Sequence, residues 1–375
     1  MESLITKHKV IWTDAAKITA VPNASIDLVV TSPPYPMIEM WDSILGKQRT
    51  SIKQALGKRN GMAAFEAMHA LLDKVWAEVF RILKPGRFAC INIGDATRTI
   101  GSNFALYPNH ARILSALIEL GLTPLPDILW RKQTNAPNKF MGSGMLPAGA
   151  YVTLEHEYIL VVRKGGKREF VRPSKKQLRR ESAYFWEERN TWFSDIWFDI
   201  KGSRQALGDR KLRKRSAAFP FEIPYRLINM YSAKGDTVLD PFLGTGTTLW
   251  AAMAAARNSI GVELDPHFKT EVFADLLAIQ AAANQRIDQR LEAHHQFVKD
   301  RIDSGYQFKH TNTHYGFPVM TAQEKELRFD RPVEARSTDS DTVRMDYNQN
   351  IKNVKVDYQP HRTADPHQRS LFSAN

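Results

Sequence analysis

Two short stretches of this chain carry residue types arranged for chemistry. The first is Thr31-Ser32-Pro33-Pro34-Tyr35, which follows the apolar run Ile26-Asp27-Leu28-Val29-Val30. An amine conjugated to a heteroaromatic ring is a poor nucleophile because its lone pair is delocalised. Two acceptors on its hydrogens localise that pair, and a serine hydroxyl with a backbone carbonyl can supply them. Consecutive prolines fix φ and remove two backbone donors, so Pro33 and Pro34 hold the carbonyl rigidly. Tyr35 offers a ring on which a planar base can stack. Read alone, the same residues also make a Pro-Pro turn beside a core tyrosine.

The second stretch is Asp240-Pro241-Phe242-Leu243-Gly244-Thr245-Gly246-Thr247-Thr248, between an apolar strand candidate at 237–240 and an alanine-rich helix candidate at 247–256. Glycines at such a junction let the backbone approach a ligand and turn into a helix whose first amides face it. The next apolar run, Ser259-Ile260-Gly261-Val262, ends in Glu263. A carboxylate there can accept both hydroxyl hydrogens of a ribose. A tight turn with a surface glutamate explains less of this strand, loop, helix, strand and Glu order than nucleoside binding does.

From Phe219-Pro220-Phe221-Glu222 through the glycine loop to Gly261-Val262-Glu263-Leu264-Asp265, the chain resembles the S-adenosylmethionine-binding half of DNA amino-methyltransferases. Thr31–Tyr35 resembles their catalytic signature in its N4-cytosine form, and Pro34-Tyr35-Pro36-Met37-Ile38-Glu39-Met40-Trp41-Asp42 is similar to members from restriction–modification systems. The order, catalytic motif before cofactor motif, resembles the circularly permuted β class, with target recognition between the two. This resemblance implies that Ser32, Pro33, Pro34 and Tyr35 are catalytic. It implies that Asp240, Phe242, Gly244 and Gly246, with Thr247 beside them, surround the methionine part of S-adenosylmethionine, and that Glu263 holds the ribose. Asp14, in Ile11-Trp12-Thr13-Asp14-Ala15, matches a position near the cofactor's adenine, although helix capping explains a lone Asp equally. The expected reaction is direct methylation of N4 of a cytosine flipped out of the duplex. N6 of adenine is the alternative on the same fold; an RNA or protein amine methyltransferase and a catalytically silent DNA-binding module lie further off.

The elements that must position these motifs alternate. Strand candidates at 8–12, 26–30, 88–93, 128–130, 158–162, 237–240 and 259–263 are interleaved with helical periodicity at 65–83, 110–120, 247–256 and 270–302. That rhythm predicts an α/β, Rossmann-like methyltransferase sheet, circularly permuted, with a basic insertion. Residues 1–162 form the catalytic half, 163–215 the target-recognition region, 216–302 the cofactor half with a long helix, and 303–375 an extension that is weakly ordered from Pro332 onward.

The net charge is +12, and 163–215 holds 17 Lys/Arg against 7 Asp/Glu, interleaved with Phe170, Tyr184, Phe185, Trp186, Trp192, Phe193, Trp197 and Phe198. A solvated loop with some core aromatics is the bland reading; a face for double-stranded DNA, with Lys211, Arg213, Lys214 and Arg215 on phosphates, is the expected one. The single cysteine, Cys90, excludes an internal disulfide and sits in an alternating, strand-like context. A thiolate mechanism for ring-carbon methylation is thereby disfavoured. His310 and His314 lack a third ligand nearby in sequence, so no metal is expected. There is no secretory signal or apolar span, so no membrane role and a cytoplasmic location are expected. The basic, glycine-punctuated Leu56–Gly61 reads as a phosphate-contacting loop or a solvated one, and Met37, Met40 and Trp41 as base-pocket or core residues. Finally, Gln368-Arg369-Ser370-Leu371-Phe372 resembles the pentapeptide with which bacterial proteins dock on the replicative sliding clamp.

Overall fold

The computed structural model describes residues 4–132, 141–202, 219–273 and 276–348. Lys211, Arg213, Lys214, Arg215 and the Gln368–Phe372 pentapeptide lie outside the described residues.

One sheet of eleven strands organises the described chain. Across it run Ile196–Trp197, Ile128–Arg131, His156–Lys164, Leu83–Ile93, Ile26–Thr31, Thr237–Asp240, Asn258–Glu263, Ile5–Trp12, Thr342–Asn348 and Arg331–Asp339, with Leu122–Pro124 also paired to His156–Lys164. The five central strands, from Leu83–Ile93 to Ile5–Trp12, are mutually parallel. All six residues of Ile26–Thr31 are buried, as an unbroken apolar run covered on both faces should be.

The two faces are covered by different halves of the chain. Helices Gly61–Ile82 and Asn109–Glu119 pack Leu72, Val75, Trp76, Val79, Ile113 and Leu117 on one face. Helices Glu222–Tyr231 and Thr247–Ala254 pack Tyr225, Leu227, Ile228, Ala251 and Ala252 on the other. The strand order therefore reverses between Ile26–Thr31 and Thr237–Asp240, the switch point at which such sheets bind ligands beyond their strand ends.

The expected weak order from Pro332 onward fails for the described part of that stretch. Arg331–Asp339 and Thr342–Asn348 form a hairpin whose second strand pairs antiparallel with Ile5–Trp12. Val343, Met345 and Tyr347 alternate inward, a period-2 signal that the surrounding polar residues concealed. The long helix, Leu276–Asp303, buries Arg290 against Glu188 and His294 against Glu187, so the aromatic segment 183–192 packs into the body. Phe185, Trp192 and Trp197 are accordingly core residues rather than exposed platforms for bases. Cys90 is likewise buried, and burial pushes its thiol up.

The extension is anchored by buried charge. Lys234 Nζ meets Asp330 at 2.5 Å, and Arg328 meets Glu181 at 2.8 Å. Asp330→Ala leaves the buried Lys234 without its carboxylate while Arg328 keeps Glu181, a loss that costs about 3–5 kcal/mol. Urea denaturation of the variant should show that loss; a loss under about 1 kcal/mol would mean the extension is not integral to the fold.

Candidate functional site

The two sequence motifs meet at the switch point. Leu28 and Val29 pair with Val238 and Leu239, which brings Thr31 beside Asp240 from 209 residues away. Thr31 Oγ1 donates to Asp240 Oδ1 at 2.6 Å, Thr248 Oγ1 to Oδ2 at 2.6 Å, and the Phe242 amide to Oδ1 at 3.0 Å. Asp240 thus ties the strand Ile26–Thr31 to the glycine loop and its helix. Burial pushes its carboxyl up to about 6, against the pull of the Thr248, Thr31 and Phe242 donors.

The loop itself is shaped by close contacts. Gly244 and Gly246 take φ of +55° and +94°, conformations that side chains disfavour. An added Cβ at Gly261 would lie 2.5 Å from the Leu243 side chain, so a glycine there lets the loop close onto the strand. At Gly244 an added Cβ would meet nothing within 4 Å, so the loop presents an open face.

Glu263 stands at the neighbouring strand end. Its two oxygens accept the Gly244 and Asp265 amides, both at 2.8 Å, which fixes the carboxylate while leaving each oxygen a second lone pair. Burial raises its pKa. Thr13 donates its amide to the Glu263 carbonyl at 3.0 Å, and Asp14 follows at the same edge, exposed and capping the turn Ala15–Lys17. Phe242 packs edge-on to Trp76, and Thr247 opens the helix. These residues place a fixed carboxylate, an open glycine face and an aromatic ring at one edge of the sheet. That donor set fits a nucleoside with a charged tail.

The Ser32–Tyr35 motif shows a feature that sequence reasoning missed. The Tyr35 hydroxyl donates to Glu157 Oε2 at 2.8 Å, and Asn92 Nδ2 donates both to that hydroxyl at 2.8 Å and to Glu157 Oε2 at 2.7 Å. Ser32 Oγ lies 3.2 Å from the same hydroxyl. Donor counting then orients the group. Tyr35 has one hydrogen, committed to Glu157, so the Ser32 hydrogen points at the Tyr35 oxygen and the Ser32 lone pairs remain free. Burial, with the Glu157 charge next, raises the Tyr35 pKa well above its ordinary value, so Tyr35 stays a phenol. Lys132 pairs with the other Glu157 oxygen at 2.9 Å.

Two further positions complete the site. Asn92 Oδ1 is buried without a partner among the described residues, a free acceptor beside Ser32 and Tyr35. Asn109 holds the loop from beneath, donating to the carbonyls of Pro36 at 3.0 Å and Gly94 at 2.9 Å. Nothing in the spacing of Asn92, Asn109 or Glu157 announced these roles, because all three arrive through the tertiary fold. Met37 is buried below the loop, whereas Met40 is exposed and Trp41 only partly covered.

Comparison with known proteins bears on this arrangement. A family model described as DNA methylase matches residues 26–274. The Type II methyltransferase M.MthZI of Methanothermobacter thermautotrophicus is 49% identical over 328 residues, 87% of this chain and 91% of that one. The Type II methyltransferase M.MjaI of Methanocaldococcus jannaschii is 50% identical over 277 residues, 71% of this chain and 90% of that one. Among solved structures, a putative DNA modification methylase from Thermus thermophilus, complexed with S-adenosyl-L-methionine, matches with a TM-score of 0.57 and 33% identity, covering 72% of this chain and 95% of that one.

Because the Asp240 carboxyl titrates higher folded than unfolded, its contribution to stability is full below pH about 4 and is lost as pH rises through about 6. Keeping it ionised at neutral pH costs roughly 3 kcal/mol. Asp240→Asn keeps an acceptor for Thr31 and Phe242, and the Thr248 hydroxyl can turn to accept the new amide. The variant should be about 1–3 kcal/mol more stable than wild type at about pH 7.5, with the gap closing by about pH 4.5 in urea melts. A variant less stable at both pH values would show that the ionised carboxylate is itself the better fit.

Proposed function

We propose that this chain, which belongs to the DNA methylase family, transfers a methyl group from S-adenosylmethionine to the exocyclic N4 amine of a flipped-out cytosine, as the modification arm of a restriction system. The observation that carries the reading is the hydrogen-bonded series from Ser32 through Tyr35 to Glu157. It leaves Ser32 as an acceptor aimed away from its own partners, as activation of a conjugated amine requires. The preference for cytosine rests on the serine that opens Ser32-Pro33-Pro34-Tyr35. The restriction setting is supported by Type II methyltransferases among its relatives.

In this reading the cofactor supplies a methyl group on a sulfonium sulfur. Glu263 accepts the ribose hydroxyls, the Gly244–Gly246 face admits the methionine chain, and Asp14 stands toward the adenine. Ser32 accepts one amine hydrogen, and the loop carbonyl next to Pro33 accepts the other. Ser32 and the loop carbonyl would hold the amine in line with the methyl, which would leave its C–S bonding electrons on sulfur, so no covalent enzyme adduct is needed. The proton released from nitrogen passes to Ser32 Oγ as the Ser32 hydrogen moves to Tyr35 and the Tyr35 hydrogen to Glu157. Tyr35 thereby gains a role for its hydroxyl beyond a stacking face.

The DNA that presents the base needs cations around this edge. The helices Asp42–Gln48 and Thr50–Gly57 follow the catalytic loop and pack beside it through Leu45 and Ile52. They and the next turn carry Lys47, Arg49, Lys53, Lys58 and Arg59, all exposed, with no Asp or Glu between Ser43 and Phe65. None of the five forms an ion pair with a described residue, although Arg98 is taken by Asp42 at 2.6 Å. We assign them to the substrate's phosphates, together with Lys211, Arg213, Lys214 and Arg215.

Nucleoside analysis of methylated DNA tests the base directly. N4-methylcytosine is the expected product; N6-methyladenine would move the enzyme to the other amine. Glu157→Gln and Tyr35→Phe should each lower kcat by roughly 100-fold with cofactor affinity unchanged, the usual worth of a positioned proton acceptor. Full activity in Tyr35→Phe would remove the hydroxyl from the mechanism and leave stacking alone.

Replacing Lys47, Arg49 and Lys53 by Gln should raise the KM for duplex DNA and flatten the salt dependence of binding by up to about three powers of salt concentration. An unaltered salt slope would exclude these helices from the DNA face.

A further inference from the structure

Strand direction divides the basic segment 163–215 in a way composition does not reveal. His156–Lys164 runs antiparallel to Leu83–Ile93, with Tyr158 opposite Ile93 and Lys164 opposite Arg87. The strand therefore starts at the ligand edge with Glu157 and ends at the opposite edge, its 9 residues spanning roughly 27 Å. The residues that follow are held there. Arg168 pairs with Asp236, just ahead of the strand Thr237–Asp240, and Ser182 Oγ accepts the Lys234 amide at 2.9 Å. The helix Pro173–Glu181 lies between these two anchors.

This remote surface is strongly cationic. Residues 163–180 contain nine Lys and Arg against Glu169 alone. Lys164 is spent on the carbonyls of Phe80 and Leu83, Arg168 on Asp236, and Arg180 on Glu326. Lys167, Arg172, Lys175, Lys176 and Arg179 are exposed, and none of them forms an ion pair with a described residue. Arg172 caps the helix, and Lys175 and Lys176 fall near its start, where the helix dipole disfavours positive charge. Helix stability does not explain them.

We propose that this surface holds a second segment of duplex DNA by its phosphates, separate from the segment whose base is methylated. A duplex seated across the catalytic edge does not reach cations at the far end of the strand, so the occupant is another length of the same polyanion. Attraction of this kind needs no sequence and weakens steeply with salt. Gripping two segments would let the enzyme pass between them without dissociating. The inference rests on the DNA reading of the preceding subsection.

A capture experiment tests it with the full chain. The enzyme is bound to an immobilised duplex of a few tens of base pairs, and a labelled second duplex is offered. Wild type should retain the second duplex. The variant Lys167→Gln, Arg172→Gln, Lys175→Gln, Lys176→Gln should bind the first equally and lose at least about ten-fold of the capture. Its methyl incorporation into sheared unmethylated DNA should stay within about two-fold of wild type. Capture retained by the variant would show that bridging comes from paired copies of the enzyme, and would overturn the proposal. So would no capture by wild type, loss of the first duplex, or capture of single-stranded RNA in preference to duplex. A wild-type chain that methylates no DNA would instead sink the functional reading, independently of the capture result.

Discussion

The carboxylate of Asp240 is the joint on which the site depends. It receives Thr31 from the strand Ile26–Thr31, Thr248 from the helix and Phe242 from the loop, and so couples two motifs 209 residues apart. Strand pairing alone aligns Val29 with Leu239 but leaves the loops beyond the strand ends free. The three hydrogen bonds extend the register past the sheet. A permuted order of motifs is physically neutral for this reason: the contact is between strand ends in space, and the route of the chain between them does not enter.

Strand polarity then sorts the remaining functional groups. Parallel strands deliver Thr31, Ile93, Asp240 and Glu263 to one edge, while the antiparallel strand brings Glu157 to that edge at its beginning. The same reversal carries Arg163 and the basic run away from it. Two properties that composition lumps together, a carboxylate for the site and a block of positive charge, are separated by the direction in which one strand enters the sheet.

This explains which features were legible in the sequence. The glycine loop, the Ser32–Tyr35 turn and the parallel strands are local: their residue types, periodicity and spacing lie within one element and its flanks. Glu157 falls just ahead of the strand candidate at 158–162 and nothing local marks it, since its partners Tyr35 and Asn92 lie 122 and 65 residues away. The aromatics of 183–197 looked available because their partners, among them His294 stacked on Phe185 at 3.9 Å, come from a helix about a hundred residues later. The hairpin Arg331–Asn348 was missed because its inward face is only every second residue of a polar stretch, and its partner is the first strand of the chain. The expected boundary at 163 follows composition, whereas the fold continues through it to the strand Ile196–Trp197.

Two buried aspartates at opposite edges of the sheet show how differently those edges treat charge. At the far edge, burial alone would raise Asp27. Lys84 at 2.7 Å, the Thr237 amide at 3.1 Å and Arg87 at 3.0 Å more than offset it, and its pKa is lowered. At the ligand edge Asp240 has no cation against it among the described residues, only two hydroxyls and an amide, and burial raises its carboxyl. Both aspartates bind neighbouring strands, so adhesion alone does not require the difference. A cation beside Asp240 would tighten the joint but would place positive charge at the ligand edge. Hydroxyl donors make the same mechanical connection while leaving the negative charge uncompensated. With no cation among the described residues to offset its burial, the Asp240 carboxyl stays raised where that of Asp27 is lowered.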